Sequence, residues 1–202
     1  MSETAEILKN YMPGEAAPLI ARWINHYQVT IKVSRGRRTK LGDYRHPFGV
    51  QGHRISINYN LNPYAFLITL VHEFGHLLTY NRYKNRVKPH GTEWKLAFRE
   101  LMDPFLDMQV FPIELQNQLK GYLDNPAASS CSDLNLMRIL ERYDQVHPDQ
   151  LNIESIVHGE LFYTADGRCF RKGEKLRKRF KCQELKTKRF YLFNPLAKVK
   201  AA

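Results

Sequence analysis

The sequence predicts an α+β fold: a small antiparallel sheet packed on a buried helix, then a helical segment, then a second, small antiparallel β module. Three observations predict this arrangement. Apolar residues recur at helical spacing from Pro63 to about Tyr80. Apolar and polar residues alternate at 29–33 and around 55–57, which is typical of strands, and two hairpin patterns follow residue 154.

The first elements are a helix and the strands of the small sheet. Residues 16–27 carry an apolar face at helical spacing, formed by Leu19, Ile20, Trp23, Ile24 and Tyr27. The segments 29–33 and 55–57 supply two strands, and a basic turn, 35–38, lies between them. We therefore expect a sheet of about three strands packed on the helix that follows.

That helix has a clear N-terminal signal. Asn62 is a favourable N-cap, and Pro63 suits the first helical position, where its missing N–H costs nothing. The apolar residues predict that the helix is largely buried. Gly75 inside it costs about 1 kcal/mol relative to alanine, so we expect another backbone to approach closely at this position.

This helix contains the most informative motif of the chain. His72-Glu73-Phe74-Gly75-His76 has the pattern His-Glu-x-x-His, and His90 follows fourteen residues after His76. Because a helix turns about 100° per residue, His72 and His76 share one face and can bind the same ion. Glu73 is placed to act as a general base on a water at that ion, and a catalytic zinc needs three protein ligands and one open position. His90, in a turn before a helix predicted to be capped by Thr92, is the candidate for the third ligand.

The alternative is that the motif arose by chance. A single histidine on an apolar helix is usually a core residue with an ordinary hydrogen-bond partner. Here two histidines and Glu73 lie within a hydrophobic helix, and burying them without a metal leaves costly unpaired polar atoms. The pattern therefore favours a site for one zinc ion per chain, although three histidines also accept other divalent ions.

Four segments, in order, resemble the SprT-like family of zinc metallopeptidases, which includes the DNA–protein crosslink protease Spartan. They are Thr-Lys-Leu-Gly-Asp-Tyr-Arg at 39–45, the pre-helix strand at 55–58, the motif helix at 70–76 and His-Gly-Thr-Glu-Trp at 90–94. The resemblance covers about residues 20–102. It implies a zincin-like domain with His72, His76 and His90 as zinc ligands and Glu73 as the general base.

One feature of many SprT-like proteins is missing from the sequence. Such proteins often end in a zinc ribbon with two Cys-x-x-Cys pairs, whereas this chain has only Cys131, Cys169 and Cys182, in no such pair. We expect these cysteines to be ordinary thiols. A second, structural zinc is not expected.

The rest of the chain divides into a helical region and a β region. The acidic middle part contains short predicted helices at 113–123 and 133–143. In the last part, Asp166-Gly167 and Lys186-Thr187 are turn pairs between apolar segments, so four antiparallel strands are predicted. The predicted domains are 1–103, the SprT-like domain; 104–153, a helical extension or linker; and 154–202, a basic β module.

Charge is distributed unevenly along the chain, whose net charge is +11. Residues 151–202 hold 13 Lys and Arg against 5 Asp and Glu, and residues 22–54 hold 8 against 1. Basic faces attract phosphates, and aromatics beside cations suit single-stranded nucleic acid. The candidate nucleic-acid contacts in the β module are Arg171, Lys172, Lys175, Arg177, Lys178, Arg179 and Lys181. The alternative is that the interleaved aromatics are simply the core face of a sheet.

The composition and the apolar pattern limit the remaining possibilities. Neither a secretory signal nor a membrane-spanning stretch is visible in the sequence, and the cysteines do not fit a secreted disulfide scaffold, so a cytoplasmic protein is expected. The first functional hypothesis is a zinc metallopeptidase acting on protein or peptide substrates, including proteins bound or crosslinked to DNA. The second is a nucleic-acid-binding protein whose zinc is structural and whose peptidase activity is absent or latent. The sequence does not specify an oligomeric state.

Overall fold

The computed structural model describes residues 2–37, 40–127, 133–145 and 149–202. Arg38 of the predicted basic turn, Thr39 of the first family-like segment and Cys131 lie outside these residues. The chain forms two compact units, Met1–Asp144 and Gln145–Ala202. Both helices and sheets are present, so the predicted α+β class is confirmed. No helix among the described residues is long and apolar enough to cross a membrane.

The first unit contains six α-helices and a three-stranded sheet among its described residues. In chain order these are α1 (Glu3–Leu8), α2 (Ala17–Tyr27), β1 (Thr30–Ser34), β2 (Gly42–Arg45), β3 (Arg54–Asn58), α3 (Pro63–Tyr83), α4 (Thr92–Asp107), α5 (Ile113–Asp124) and α6 (Leu134–Leu140), the last continued by a 3₁₀ turn, Glu141–Tyr143. The sheet has the order β1-β3-β2.

The sheet differs from the antiparallel one predicted. Strand β2 is antiparallel to β3, with Tyr44 opposite Ile55, but β1 runs parallel to β3, with Ile31 opposite Ile55. The sheet is therefore mixed. Residue alternation reveals which face of a strand is buried but not the direction of its partner, which explains the error.

Helix α3 lies at the centre of the first unit. The Asn62 side chain accepts a hydrogen bond from the backbone N–H of Ala65 at 2.9 Å, which confirms the predicted cap. Nearly every residue between Ala65 and Thr79 is buried, and the helix contacts α4, β2 and β3. Helix α4 starts at Thr92 with Gly91, not Thr92, in the cap position, and it continues through Pro104 to Asp107.

The acidic region contributes to the core of the first unit. Leu115, Leu119 and Leu123 of α5 and Leu136 and Leu140 of α6 are buried in the same cluster as the residues of α3. Asp133 caps α6 by accepting hydrogen bonds from the N–H groups of Asn135 and Leu136. The three-part division of the chain remains a prediction.

The described residues of the second unit form a seven-stranded antiparallel sheet, three strands more than predicted. Its strands are β4 (Leu151–Asn152), β5 (Leu161–Tyr163), β6 (Cys169–Arg171), β7 (Lys175–Leu176), β8 (Arg179–Glu184), β9 (Phe190–Phe193) and β10 (Lys198–Ala201). Their order is β4-β10-β5-β6-β8-β7, and β9 also pairs with β8. The predicted hairpins are β5–β6, with Gly167 at φ 79° in the turn, and β8–β9.

The core of the second unit contains several of the aromatic residues singled out in the sequence. Phe162 and Phe170 are fully buried, lie opposite each other across β5 and β6, and stack with ring centroids 5.6 Å apart. Cys182 is buried in the same cluster, and Cys169 is half-buried; both are free thiols. For Phe162 and Phe170, packing in the sheet core is therefore sufficient explanation.

Candidate metal centre

The motif residues His72, Glu73 and His76 lie on helix α3, in the interior of the first unit. His72 and Glu73 are 3% and 5% exposed, and His76, one turn after His72, is half-buried. The positions around them on the helix are filled mostly by apolar side chains, with the hydroxyl groups of Thr69 and Thr79 as further buried polar groups. Such groups require partners.

His90 reaches the same point from the loop before α4. Its backbone adopts a left-handed conformation, φ 59°, directly before Gly91. Its Nε2 lies 3.3 Å from Nε2 of His72, and one ligand nitrogen from each of His72, His76 and His90 lies within 4.8 Å of the others. The structure thus brings together all three histidines that the sequence predicted.

The indole of Trp94 packs against the three imidazoles. Its ring centroid lies 4.6 Å from those of His72 and His90 and 5.3 Å from that of His76, and the residue is fully buried. Its indole nitrogen donates to the backbone carbonyl of His72 at 3.4 Å. Trp94 therefore restricts the orientations of the three imidazole rings.

Gly75 allows this packing. A Cβ at Gly75 would lie 3.1 Å from Nε1 of Trp94 and 3.4 Å from Cα of Phe98. The close approach of another backbone, expected from the glycine in the helix, is confirmed, and the approaching element is α4.

The electrostatic environment keeps the histidines neutral. Burial, together with the neighbouring rings, lowers the pKa of His72 to about 2 and that of His76 to about 3, and burial also lowers the pKa of His90. Neutral imidazole is the form that binds metals. Nδ1 of His72 is buried and has no hydrogen-bond partner in the described parts of the chain, while its Nε2 points toward His90. Three neutral nitrogens converging on one point fit a divalent ion with one coordination position left open.

Glu73 is held beside this centre by strand β2. The backbone N–H of Tyr44 donates toward its carboxylate. Gly42 faces the same group, because a Cβ there would lie 2.5 Å from Oε1 of Glu73 and 2.8 Å from Cγ2 of Thr69. Burial and the nearby negative charge of Asp43 raise the pKa of Glu73 to about 8. A carboxyl group with this pKa can accept and release a proton near neutral pH.

The family model described as SprT-like matches residues 17–117, which is half of the chain. The chain belongs to the SprT-like family. The match includes all of the metal centre and the sheet beside it. Comparison with curated proteins and with solved structures gave no match.

In this SprT-like chain, an aromatic cleft of about 260 Å³ opens next to His76 and Trp94. The ring of His46 stacks on that of Tyr80 at 4.8 Å, and Oη of Tyr44 lies 2.8 Å from Nδ1 of His53. The sequence predicts no role for these four residues. Only the fold reveals their proximity, because they come from β2, the following loop and the last turns of α3.

The candidate nucleic-acid contacts of the second unit have different environments. The ammonium of Lys172 is already engaged inside the module: the residue is 5% exposed, its Nζ donates to the carbonyls of Glu154 and Ile156, and it lies 4.2 Å from the ring centroid of Phe180. Arg171 donates to the carbonyl of Gly159, and Lys181 lies 4.4 Å above the ring of Phe190. Lys175, Arg177, Lys178 and Arg179 are exposed. For these exposed residues and for Arg171 and Lys181, nucleic-acid contact remains a prediction.

Proposed function

We propose that this SprT-like protein is a zinc-dependent metallopeptidase with a zincin-like active site. The observation that carries the proposal is that one nitrogen from each of three neutral imidazoles lies within 4.8 Å of the others. The buried carboxylate of Glu73 lies beside them, on the helix that carries His72 and His76. An exclusively structural zinc site commonly has four protein ligands, whereas three ligands leave a position for water or substrate. Family membership supports the same conclusion.

Each residue of the site has a role in this proposal. His72, His76 and His90 hold the ion. When bound, zinc supplies a Lewis acid that polarises a carbonyl and makes water more acidic. Glu73 takes a proton from the attacking water and later delivers it to the leaving amine. The N–H of Tyr44 and the contact with Gly42 keep the carboxylate oriented.

The substrate in this proposal is an extended segment of protein. Strand β2 is an edge strand of the sheet and lies next to Glu73. An extended peptide can pair with such an edge, so its carbonyl groups pass close to the metal. Proteins associated with or crosslinked to DNA are the proposed physiological substrates; this part is supported by the family resemblance and by the basic charge of the chain.

The experiment that tests the peptidase proposal compares the wild type with Glu73→Gln. Glutamine keeps the size of the side chain and an acceptor for the Tyr44 N–H, but it cannot take a proton. We expect zinc content to be unchanged and cleavage of an unfolded, fluorescently labelled protein to fall by at least about 100-fold. Wild-type activity in Glu73→Gln would refute the role of Glu73. A zinc-loaded wild type without cleavage would favour the nucleic-acid-binding alternative.

A further inference from the structure

The face of the β1-β3-β2 sheet that points away from α3 is polar and basic. Alternation places Ile31, Ile55 and Tyr44 toward the core. The intervening positions, Lys32 on β1, Ser56 on β3 and Asp43 on β2, lie in one row across the other face. Arg54 and Arg45 form the next row. These residues and Arg37 surround a hollow of about 350 Å³.

The cations around this hollow outnumber the acids. Among the residues that the structure describes, Lys32, Arg37, Arg45 and Arg54 line it together with a single carboxylate, that of Asp43. Asp43 is already bound by Lys40 at 2.6 Å and by Arg45 at 3.1 Å. Lys32 has neither an ion pair nor a hydrogen bond from its ammonium to any residue that the structure describes. The surface therefore has uncompensated positive charge.

Two of the guanidinium groups are fixed in place with donors to spare. Three N–H groups of Arg37 donate to acceptors on β3: to Oδ1 of Asn58 at 2.9 Å, and to Oγ and the carbonyl of Ser56 at 3.2 Å each. Arginine has five N–H donors in a rigid fork that matches phosphate oxygens. The two terminal nitrogens of Arg54 donate to Oε1 of Gln51 and to the carbonyl of His46. A ligand with several acceptor oxygens would satisfy the second N–H of each terminal nitrogen on Arg37 and Arg54.

The absence of apolar anchors decides which kind of partner fits. Ile55 is the one apolar residue among those described that line the hollow, and it is buried. Protein interfaces depend on apolar and aromatic side chains at their centre. Binding of single-stranded nucleic acid uses aromatic side chains on which bases stack. Neither feature is found among the described residues that line the hollow, whereas contacts to the phosphates of a duplex need only cations and polar donors.

We propose that this sheet face is a binding site for the phosphate backbone of duplex nucleic acid, independent of base sequence. The outer strands of a three-stranded sheet lie about 10 Å apart, a length along which one DNA strand carries about three phosphates. Lys32 and Arg45, on opposite outer strands, contact separate phosphates, and Arg37 and Arg54 lie between them. Because α3 packs on the other face, this site and the metal centre can be occupied at the same time.

The test is fluorescence anisotropy of a labelled duplex of about 20 base pairs, titrated with the 202-residue chain at several salt concentrations. The informative variant is Lys32→Gln with Arg45→Gln, since both side chains are exposed. Lys95→Gln with Lys120→Gln removes the same charge from α4 and α5 as a control. We expect the first variant to bind at least about tenfold more weakly at 0.1 M salt, and the slope of log K against log salt to become shallower by about 2. The control should bind nearly as the wild type does.

Three results would overturn this proposal. One is equal loss of affinity in both double variants, which would indicate a general charge effect. Another is wild-type affinity in Lys32→Gln with Arg45→Gln, accompanied by loss of affinity in Arg177→Gln with Arg179→Gln of the second unit. The third is polyglutamate displacing the duplex at equal charge concentration. Zinc content and cleavage of a DNA-free substrate, measured in parallel, report separately on the peptidase proposal, which does not depend on this site.

Discussion

Replacing Gly42 by alanine should disable Glu73 without touching a metal ligand. The added methyl group would lie 2.5 Å from Oε1 and 2.9 Å from Cγ of Glu73, and 2.8 Å from Cγ2 of Thr69. Carbon and oxygen atoms do not approach so closely, and both Glu73 and Thr69 are buried. The carboxylate must therefore move away from its position beside the Tyr44 N–H.

The size of the effect follows from these contacts. Overpacking of a filled interior costs about 1–3 kcal/mol, which corresponds to a lower melting temperature by about 2–4 °C per kcal/mol in a chain of this size. Displacement of a catalytic group by about 1 Å reduces the rate by roughly 100-fold. We thus expect a modest loss of stability, unchanged zinc stoichiometry and a large loss of kcat.

The assay is cleavage of an unfolded labelled protein by Gly42→Ala, beside metal analysis and thermal unfolding. Gly52→Ala is the matched control, because its Cβ would lie 3.7 Å from the carbonyl oxygen of Gln28, an ordinary contact. Near-wild-type kcat in Gly42→Ala would refute the conclusion that β2 positions Glu73. Loss of zinc in Gly42→Ala would show that the strand acts on the ligands instead.

Three further predictions concern the pH dependence of stability, the packing of the helices and the second unit. In the metal-free protein, the pKa of Glu73 is about 8 when folded and 4.5 in an ordinary carboxyl, so stability is lost as pH rises between these values. In urea unfolding, the free energy of unfolding of metal-free Glu73→Gln should exceed that of metal-free wild type by about 2–4 kcal/mol at pH 8.5 and by little at pH 4.5. A difference that stays constant with pH would contradict this. Gly75→Ala gains about 1 kcal/mol of helix propensity but pushes against buried Trp94, so its melting temperature and zinc affinity should fall; a higher melting temperature would contradict the close packing. Lys172→Met removes the ammonium that donates to the carbonyls of Glu154 and Ile156 and should destabilise the second unit by about 1–3 kcal/mol. The loss should be seen as faster hydrogen exchange of Phe162 and Phe170 with zinc content unchanged; unaltered protection would contradict it.

The candidate metal centre was predictable from the sequence because most of it is local. His72, Glu73 and His76 lie within one turn of a helix whose start is encoded by Asn62, and spacing alone places the two rings on one face. His90 required a judgement about a distant loop, which the family-like segment at 90–94 supported. Gly75 gave a further clue, because a glycine in a buried helix implies a close neighbour.

Features that depend on the partner of a residue were missed. Gly42 and Tyr44 hold Glu73 from a strand about thirty residues earlier in the chain, and neither has a local signal for that role. Strands β4 and β7 contain two residues each, too few to show a period. Lys172 resembled a surface cation in sequence, since lysine is seldom buried, and only the arrangement of carbonyls around it explains its burial.

The most direct test of the central claim is the metal content of freshly purified protein, wild type beside His90→Ala. His90 is only half-buried and lies in a loop, so its replacement should leave the fold intact. We predict about one zinc per chain in the wild type and much less in His90→Ala after dialysis against a weak chelator. Absence of bound metal in the wild type, with none taken up on addition of zinc, would contradict the account.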